Sequence, residues 1–309
     1  MIRRIAVIAA LMLTAVACQD DAQNRPAPPA AGAPHADTLN RLRDTDICAL
    51  LPRAELAALG QVTAVGTDRL YGCQAKIGTD PRAAGRVNWV VRALDDVGMS
   101  KGATATVDGM TVSLLGDRDV VSQQEVAGSS IRLCTAYAQL PTGGSMELSV
   151  TIPPGAEPCP VAQKMVATAL TQWKRAPRVG DSPDTVRTAV TGADPCAVLP
   201  KLPTAIPGDT QWVDRCWFRL DDDSVYIEYG HSTDREFENY ERVDIAGRQV
   251  FRISAGPNIA YKVRVGPTFD PAADDYEFLN VPAVTINGTK QETLERITTE
   301  VLALFPGQY

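Results

Sequence analysis

The sequence contains few of the residues on which metal and nucleophilic chemistry depend. Only two histidines occur, His35 and His231, and the chain has no Cys-X-X-Cys pair. The usual zinc ligand sets are therefore missing, and we expect no metal site. A Ser-His-Asp triad needs a histidine held as a base. His231 follows the strand-like run VYIEYG without a G-X-S-X-G elbow elsewhere, so we interpret it as a turn histidine and predict no catalytic residue and no cofactor.

The sequence also lacks an apolar run long enough to span a bilayer as a helix, which takes about 20 residues. Its apolar stretch runs from Ile5 to Ala17, after Arg3 and Arg4, and it ends at Cys18. A charged start, a short apolar core and a small-residue end predict a signal peptide over residues 1–17. The segment TAVAC resembles a bacterial lipobox, so Cys18 is the predicted site of lipidation. Ordinary secretion, with Cys18 removed or left as a free thiol, is the alternative.

Positive charge is scarce relative to negative charge, since the net charge is −7 and the acidic surplus lies in the second half of the chain. An acidic surface disfavours nucleic acid and is repelled by anionic lipid. We therefore expect no nucleic-acid partner, and membrane contact only through an acyl anchor. The acidic half either serves solubility or docks a basic partner.

Acidic motifs do not add a cation site to this expectation. The segment DDDS, residues 221–224, lacks the glycine and the distal glutamate of a calcium loop and joins two strand-like runs. We interpret it as a solvated hairpin turn.

What the chain does contain is a repeated phrase, DICALLP from Asp46 and DPCAVLP from Asp194. Six cysteines remain besides Cys18, an even number that in an exported chain indicates three disulfides. Each copy of the phrase has one cysteine and a second one downstream, which suggests one pair per copy. Aligning the copies places Ala260 opposite Cys134 and Gln291 opposite Cys159. The second copy thus lacks both of these cysteines, which suggests that Cys134 and Cys159 are bonded to each other. The predicted pairs are Cys48–Cys73, Cys134–Cys159 and Cys196–Cys216.

Composition divides the chain into two repeated units. Residues 18–44 are rich in proline and alanine and are predicted to be a flexible tether behind the lipidated cysteine. Residues 174–193 contain several prolines and glycines and are predicted to be a linker. The units on either side, residues 45–173 and 194–309, are each expected to fold alone.

Both units show the same order of local patterns. A short apolar helix pattern begins at each repeated phrase, with the aspartate as its cap, and in the first copy it is interrupted or restarted at Pro52. About five alternating β-branched runs come next, and a helical pattern such as CPVAQKMVATALTQW ends the unit. Short connections favour an antiparallel sheet with a helix at each end. The predicted fold class is α+β, in two tandem, disulfide-stapled copies.

The lipobox, the Pro/Ala tether, the DPC start, the segment RCWF and the cysteine-led helix PCPVAQKMV together carry a family resemblance. In these features the chain resembles cell-envelope lipoproteins of mycobacteria and related actinobacteria that share a domain of unknown function. The resemblance implies two copies of that domain on the outer face of the cell membrane. Its motifs concern compartment and disulfides, and it carries no catalytic residue to transfer.

The function that these observations favour is a lipid-anchored extracytoplasmic protein without catalytic activity. It is expected to bind an envelope ligand, either a small molecule or a lipid, or a protein partner, between its domains or on their sheets. A hydrolase acting on envelope glycans or peptides and a structural spacer are the alternatives.

Overall fold

Two antiparallel sheets of seven strands each form the body of the protein, in a computed structural model that describes residues 36–79, 85–92, 102–141, 143–208, 211–271 and 278–307. The first sheet contains β1 (Val62–Arg69), β2 (Gly72–Ile77), β3 (Gly85–Arg92), β4 (Ala103–Val107), β5 (Met110–Gly116), β6 (Arg132–Gln139) and β7 (Ser145–Ile152). The second contains β8 (Ile206–Pro207), β9 (Arg215–Leu220), β10 (Asp223–Thr233), β11 (Glu241–Ile245), β12 (Arg248–Ala255), β13 (Asn258–Arg264) and β14 (Asn280–Gly288).

Both sheets have the same topology. The first has the order β1-β2-β3-β7-β6-β5-β4, and the second, counted from its opposite edge, has the order β8-β9-β10-β14-β13-β12-β11. In each copy the chain crosses after the third strand to the far edge and returns to the centre. The predicted α+β fold in two tandem copies is therefore confirmed.

Each sheet has seven strands rather than about five because several runs that look like one strand are hairpins. The run TVDGMTVSLL folds back at Asp108 and Gly109, and the run RVDIAGRQVFRIS folds back at Ala246 and Gly247. All four turn residues have positive φ, between 54° and 81°. Two consecutive residues of positive φ form the type I′ turn that suits a two-residue hairpin.

One long helix closes each copy. These helices are α4 (Pro158–Lys174) in the first copy and α5 (Gln291–Leu302) in the second. Each buries an apolar stripe against its own sheet, with α4 packed on β5, β6 and β7. The stripe of α4 ends at Trp173 and that of α5 is followed by Phe305, and both side chains are buried.

The opening helix expected in each copy is much shorter in the structure. Residues Cys48–Leu50 and Leu199–Lys201 form single 3-10 turns, and α2 (Arg53–Leu56) adds one α-helical turn in the first copy. Pro52 interrupts the first of these segments, and the helix restarts after it, as the sequence predicted. In the second copy Pro200 lies within the 3-10 turn itself. The aspartate of each phrase still acts as a cap, since Asp46 accepts from the Ala49 amide and Asp194 from the Cys196 amide.

The predicted tether ends in ordered structure. Helix α1 (Ala36–Asp44) buries Leu39 and Leu42 in the core of the first copy. The expectation of a flexible segment is therefore wrong for residues 36–44, because an apolar pair at helical spacing packs there. The signal peptide over residues 1–17, the lipidated Cys18 and His35 lie outside the described residues. Among the described helices, none is long and apolar enough to cross a membrane.

The segment expected to be a linker is coil, but it is tightly bound. Residues 175–193 contain no helix or strand, yet Asp46 accepts hydrogen bonds at 2.9 Å from the amides of both Gly180 and Ser182. Arg53 forms a salt bridge of 2.7 Å with Asp184, and Val190 is buried in the second core. The segment therefore adheres to both copies.

A second short helix, α3 (Gln123–Gly128), lies between β5 and β6 in the first copy.

Disulfides join the pairs expected from the repeat, Cys48–Cys73, Cys134–Cys159 and Cys196–Cys216. In the first copy, Cys134 on β6 is bonded to Cys159 at the start of α4. The second copy anchors its last helix differently. The buried Asp223 on β10 accepts from the Thr289 amide at 2.9 Å and from the Lys290 amide at 2.8 Å, just before α5 begins. The expectation that Asp223 belongs to a solvated turn is therefore wrong.

The strand register changes one pairing made by sequence alignment. Cys73 faces Trp89 across its strand pair, and Cys216 faces Ile227, so these positions correspond in the two copies. Following the pairing onward through both sheets makes Ile259 the counterpart of Cys134. Ala260 was placed there by alignment, but it lies one residue further along and faces the opposite side of its sheet.

Candidate ligand-binding crevice

The two copies meet through equivalent residues. Leu70 and Val213 each lie three residues before the second cysteine of their own copy. Val213 belongs to the core of the first copy and is 4% exposed, while Leu70 packs against the core of the second. Val213 is therefore inserted into the core of the first copy, whereas Leu70 is partly buried and packs against both cores at the contact.

Helix α1 adds a polar clamp beside this exchange. The Arg43 guanidinium, 4% exposed, donates to the carbonyl oxygens of Val213 at 3.0 Å and Trp212 at 3.3 Å. It also forms a salt bridge of 3.0 Å with Asp194, the aspartate of the second repeated phrase. The loop before β9 is thus fixed to the first copy through its backbone.

A crevice of about 300 Å³ opens where the copies meet. Its two walls use corresponding segments, namely the β1–β2 turn with the end of β3 on one side and the loop before β9 with the middle of β10 on the other. The correspondence extends to hydrogen bonds, because the Val91 amide donates to the Tyr71 carbonyl and the Tyr229 amide donates to the Asp214 carbonyl. Its lining residues are Arg69, Leu70, Tyr71, Val90, Val91, Arg92, Trp212, Val213, Asp214, Arg215, Glu228, Tyr229, Gly230 and His231.

The arginines of the crevice already have carboxylate partners. Arg69 pairs with Asp68 at 3.1 Å, Arg92 with Glu147 at 3.1 Å, and Arg215 with Glu228 at 2.9 Å. The charges of these three pairs cancel, so the guanidinium groups do not make the crevice an open anion site.

Asp214 is the carboxylate of the crevice that no salt bridge neutralises within the described part of the chain. Burial raises its pKa, and the nearby Arg215 lowers it only in part. The corresponding residue of the first copy is Tyr71, so a carboxylate and a phenol occupy equivalent positions across the crevice.

Two of the lining residues, Tyr71 and Tyr229, are buried tyrosines. Tyr71 is 4% exposed, and its hydroxyl is buried without a hydrogen-bond partner in the described structure. Burial raises the pKa of Tyr71 and of Tyr229 far above that of a free phenol, so both remain neutral. An unpaired buried hydroxyl costs free energy.

His231 lies on β10 and not in a turn, which corrects the sequence-based interpretation. Its Nε2 is 3.4 Å from the Thr188 hydroxyl, and its ring packs edge-on against Phe269 at 4.8 Å. Burial lowers its pKa to about 4, so the ring is neutral at physiological pH. Nδ1 has no partner among the described groups, so no carboxylate orients this ring as a triad base.

Two other features of the described residues bear on the choice of site. These residues contain no group of three or more His, Cys, Asp or Glu side chains that could hold a metal ion. A cavity of about 390 Å³ between the 189–197 segment and residues 304–307 contains one carboxylate, Asp194, which is already paired with Arg43. The crevice is therefore the better candidate site.

Sequence reasoning identified none of the crevice residues except His231, and it gave that residue a different role. A usable signal was present in the repeat, since Tyr71 and Asp214 both lie two residues before the second cysteine of their copy. The three disulfides lie away from the lining, and Cys18 and His35 fall outside the described residues.

Comparisons with known proteins add little to this description. No protein-family profile and no curated protein matches the chain. A solved structure, the crystal structure of MucB in complex with MucA(peri), aligns over 84% of this chain and 95% of its own at 12% identity, with a TM-score of 0.13. That score is too low to indicate a shared fold.

Proposed function

We propose that the protein is a lipid-anchored binding protein of the cell envelope, which holds a small ligand in the crevice between its two copies and does not transform it. Its three disulfides support an oxidising, extracytoplasmic compartment. Anchoring through Cys18 and the likeness to actinobacterial envelope lipoproteins belong to this proposal and rest on the sequence.

The observation that carries the proposal is the crevice itself. Ligand sites are concave, largely preformed and lined by apolar and aromatic groups with a few polar ones, and they measure about 300 Å³ or more. This crevice has a comparable volume and three aromatic lining residues, Tyr71, Trp212 and Tyr229. The buried hydroxyl of Tyr71 has no described hydrogen-bond partner. Its size favours a small molecule over a protein segment.

The test uses a glycine that faces the open crevice. No atom lies within 4 Å of the position that a Cβ would take at Gly230, so Gly230→Leu fills the crevice without a clash at the backbone. Gly128 at the end of α3 is equally open and lies outside the crevice, so Gly128→Leu is the matched control.

Native mass spectrometry of the mature protein, isolated from its own envelope, supplies the measurement. We expect the wild type to carry a non-covalently bound small molecule and Gly230→Leu to carry none. Gly128→Leu should carry the molecule as the wild type does. Retention of the molecule in Gly230→Leu, or its absence from the wild type, contradicts the proposal. A covalent adduct would favour the hydrolase alternative.

A further inference from the structure

The charge balance of the crevice indicates the chemistry of its ligand. Each lining arginine has its own carboxylate, at N–O distances between 2.9 and 3.1 Å. His231 is neutral at physiological pH because burial lowers its pKa. The Asp214 carboxylate forms no salt bridge in the described part of the chain. The five charged lining residues, counted together with the ion-pair partners Asp68 and Glu147, therefore have a formal surplus of one negative charge.

We infer that the crevice binds a small organic cation, whose ammonium group pairs with the Asp214 carboxylate. The inference rests on the proposed binding function and names its ligand class. Asp214 is only partly buried, but a ligand that covers its carboxylate removes the charge from water. A buried carboxylate is costly unless it is paired and hydrogen-bonded, and an ammonium group supplies both a positive charge and hydrogen-bond donors.

The walls around Asp214 suit a cation. Trp212 lines the same crevice and is partly exposed, and the face of an aromatic ring attracts ammonium groups through its quadrupole. Tyr71 and Tyr229 also line the crevice, but their rings are buried in the two cores. Both tyrosine hydroxyls stay protonated because burial raises their pKa, so they add no competing charge.

Unpartnered polar groups provide an independent indication that a polar ligand belongs here. The Tyr71 hydroxyl, on a side chain 96% buried from solvent, has no described partner, and neither has Nε of Arg92. Both atoms are closed to solvent, so a hydroxyl group on the ligand can accept a hydrogen bond from either once that side chain shifts. The chemistry therefore fits an amine that also carries hydroxyl groups, such as an amino sugar.

An anionic ligand fits less well. It would have to compete with Asp68, Glu147 or Glu228 for an arginine, and it would then face the Asp214 carboxylate at close range. Like charges in a partly desolvated site repel strongly.

Calorimetric titration of the full mature chain tests the inference with three probes of similar size. D-Glucosamine carries the ammonium group, N-acetyl-D-glucosamine keeps the ring without the charge, and D-glucose 6-phosphate carries an anion. We expect glucosamine to bind at least tenfold more tightly than either of the others.

The Asp214→Asn variant should lose this preference and bind glucosamine and its acetylated form within a factor of about two. Asp221→Asn removes an exposed carboxylate outside the crevice lining and should leave the preference unchanged. Circular dichroism confirms that each variant is folded, and Gly230→Leu should abolish binding of every probe.

The outcomes separate the ligand class from the site. Binding of the neutral or anionic probe that survives in Asp214→Asn but is lost in Gly230→Leu overturns the ammonium assignment and leaves the crevice as a site. Glucosamine binding that is unchanged in Gly230→Leu places the ligand elsewhere and overturns the proposed function as well. If no probe binds the wild type at millimolar concentration, the ammonium assignment is wrong. The native mass spectrometry described above then decides whether the crevice binds a ligand at all.

Discussion

Leu70 and Val213 occupy equivalent positions in the two copies; Val213 is buried in the hydrophobic core of the first copy, and Leu70 packs, partly buried, against both cores. The Val213 carbonyl also accepts a hydrogen bond from Arg43, which comes from the helix before the first sheet. The unit that unfolds is therefore expected to be the pair of copies.

Truncation of Val213 tests this coupling. Val213→Ala should lower the free energy of unfolding by about 2 kcal/mol, because buried methyl groups are lost from a core that lies in the other copy. Urea denaturation followed by fluorescence and by circular dichroism should give one coincident transition in the wild type and in the variant. Ile206→Ala, at a position 63% exposed, is the control and should change the stability by less than about 0.5 kcal/mol. Two separate transitions would show that the copies unfold independently.

Asp46 provides a second test, since it joins the first copy to the segment after α4. Its carboxylate, 0% exposed, accepts from Gly180, Ser182, Thr185 and Ala49. Asp46→Ala should cost about 3 kcal/mol, because several buried donors lose a charged acceptor. Asp194→Ala at the corresponding position should cost less, since that carboxylate is half-exposed.

The same bonds define where a separated first copy must end. We expect a fragment of residues 36–193 to be more stable than one of residues 45–175, which lacks α1 and three of the four donors to Asp46. Calorimetry of the two fragments measures the difference, and equal melting temperatures would contradict the role given to Asp46.

Asp223 should make the stability of the second copy depend on pH and decrease in acid. Burial raises its pKa, but hydrogen bonds from Lys290 and Thr289 outweigh burial and lower the pKa below its ordinary value. A carboxylate with a lowered pKa in the folded state stabilises the protein above its unfolded-state pKa, and this stabilisation is lost as the pH falls through the folded-state value.

Asp223→Asn should therefore be destabilised by about 2 kcal/mol near neutral pH, and the difference from the wild type should shrink in acid. Urea unfolding at about pH 6 and about pH 2.5 gives the two values. Asp221→Asn, whose exposed carboxylate pairs with Arg296, is the control for surface charge. A deficit that stays constant with pH would contradict the role assigned to the ionised carboxylate.

Anchoring depends on Cys18, the cysteine of the lipobox-like segment. Cys18→Ala should move the protein from the membrane fraction to the medium or leave it unprocessed, because the acylated thiol is the predicted anchor. Fractionation and intact-mass measurement provide the test. A wild-type protein that carries no acyl chains would refute the lipoprotein assignment.

The repeat made much of the fold predictable, because DICALLP and DPCAVLP mark where each copy begins. The cysteines within and after each phrase predict the disulfides. Hairpins were merged into single strands where the turn was only two residues long, as at Ala246 and Gly247. Register was the weak point, since a shift of one residue separates Ile259 from Ala260 and reverses which face each side chain occupies.

The crevice was not predictable in the same way. Tyr71 and Asp214 lie in loops far apart in the chain, and neither belongs to a catalytic or metal-binding motif. Their importance comes from the packing of Leu70 and Val213, which brings the two loops together. Sequence periodicity reports which face of an element is buried, but it does not report which loops of two repeated copies meet.

Tyr71 and Asp214 illustrate what joining two copies in one chain makes possible. In a dimer of identical subunits, corresponding positions carry the same residue, so a carboxylate at this place would face a second carboxylate and a tyrosine a second tyrosine. Covalent fusion frees the two positions to diverge. A pocket between the copies can then distinguish the two ends of its ligand and hold that ligand in a single orientation.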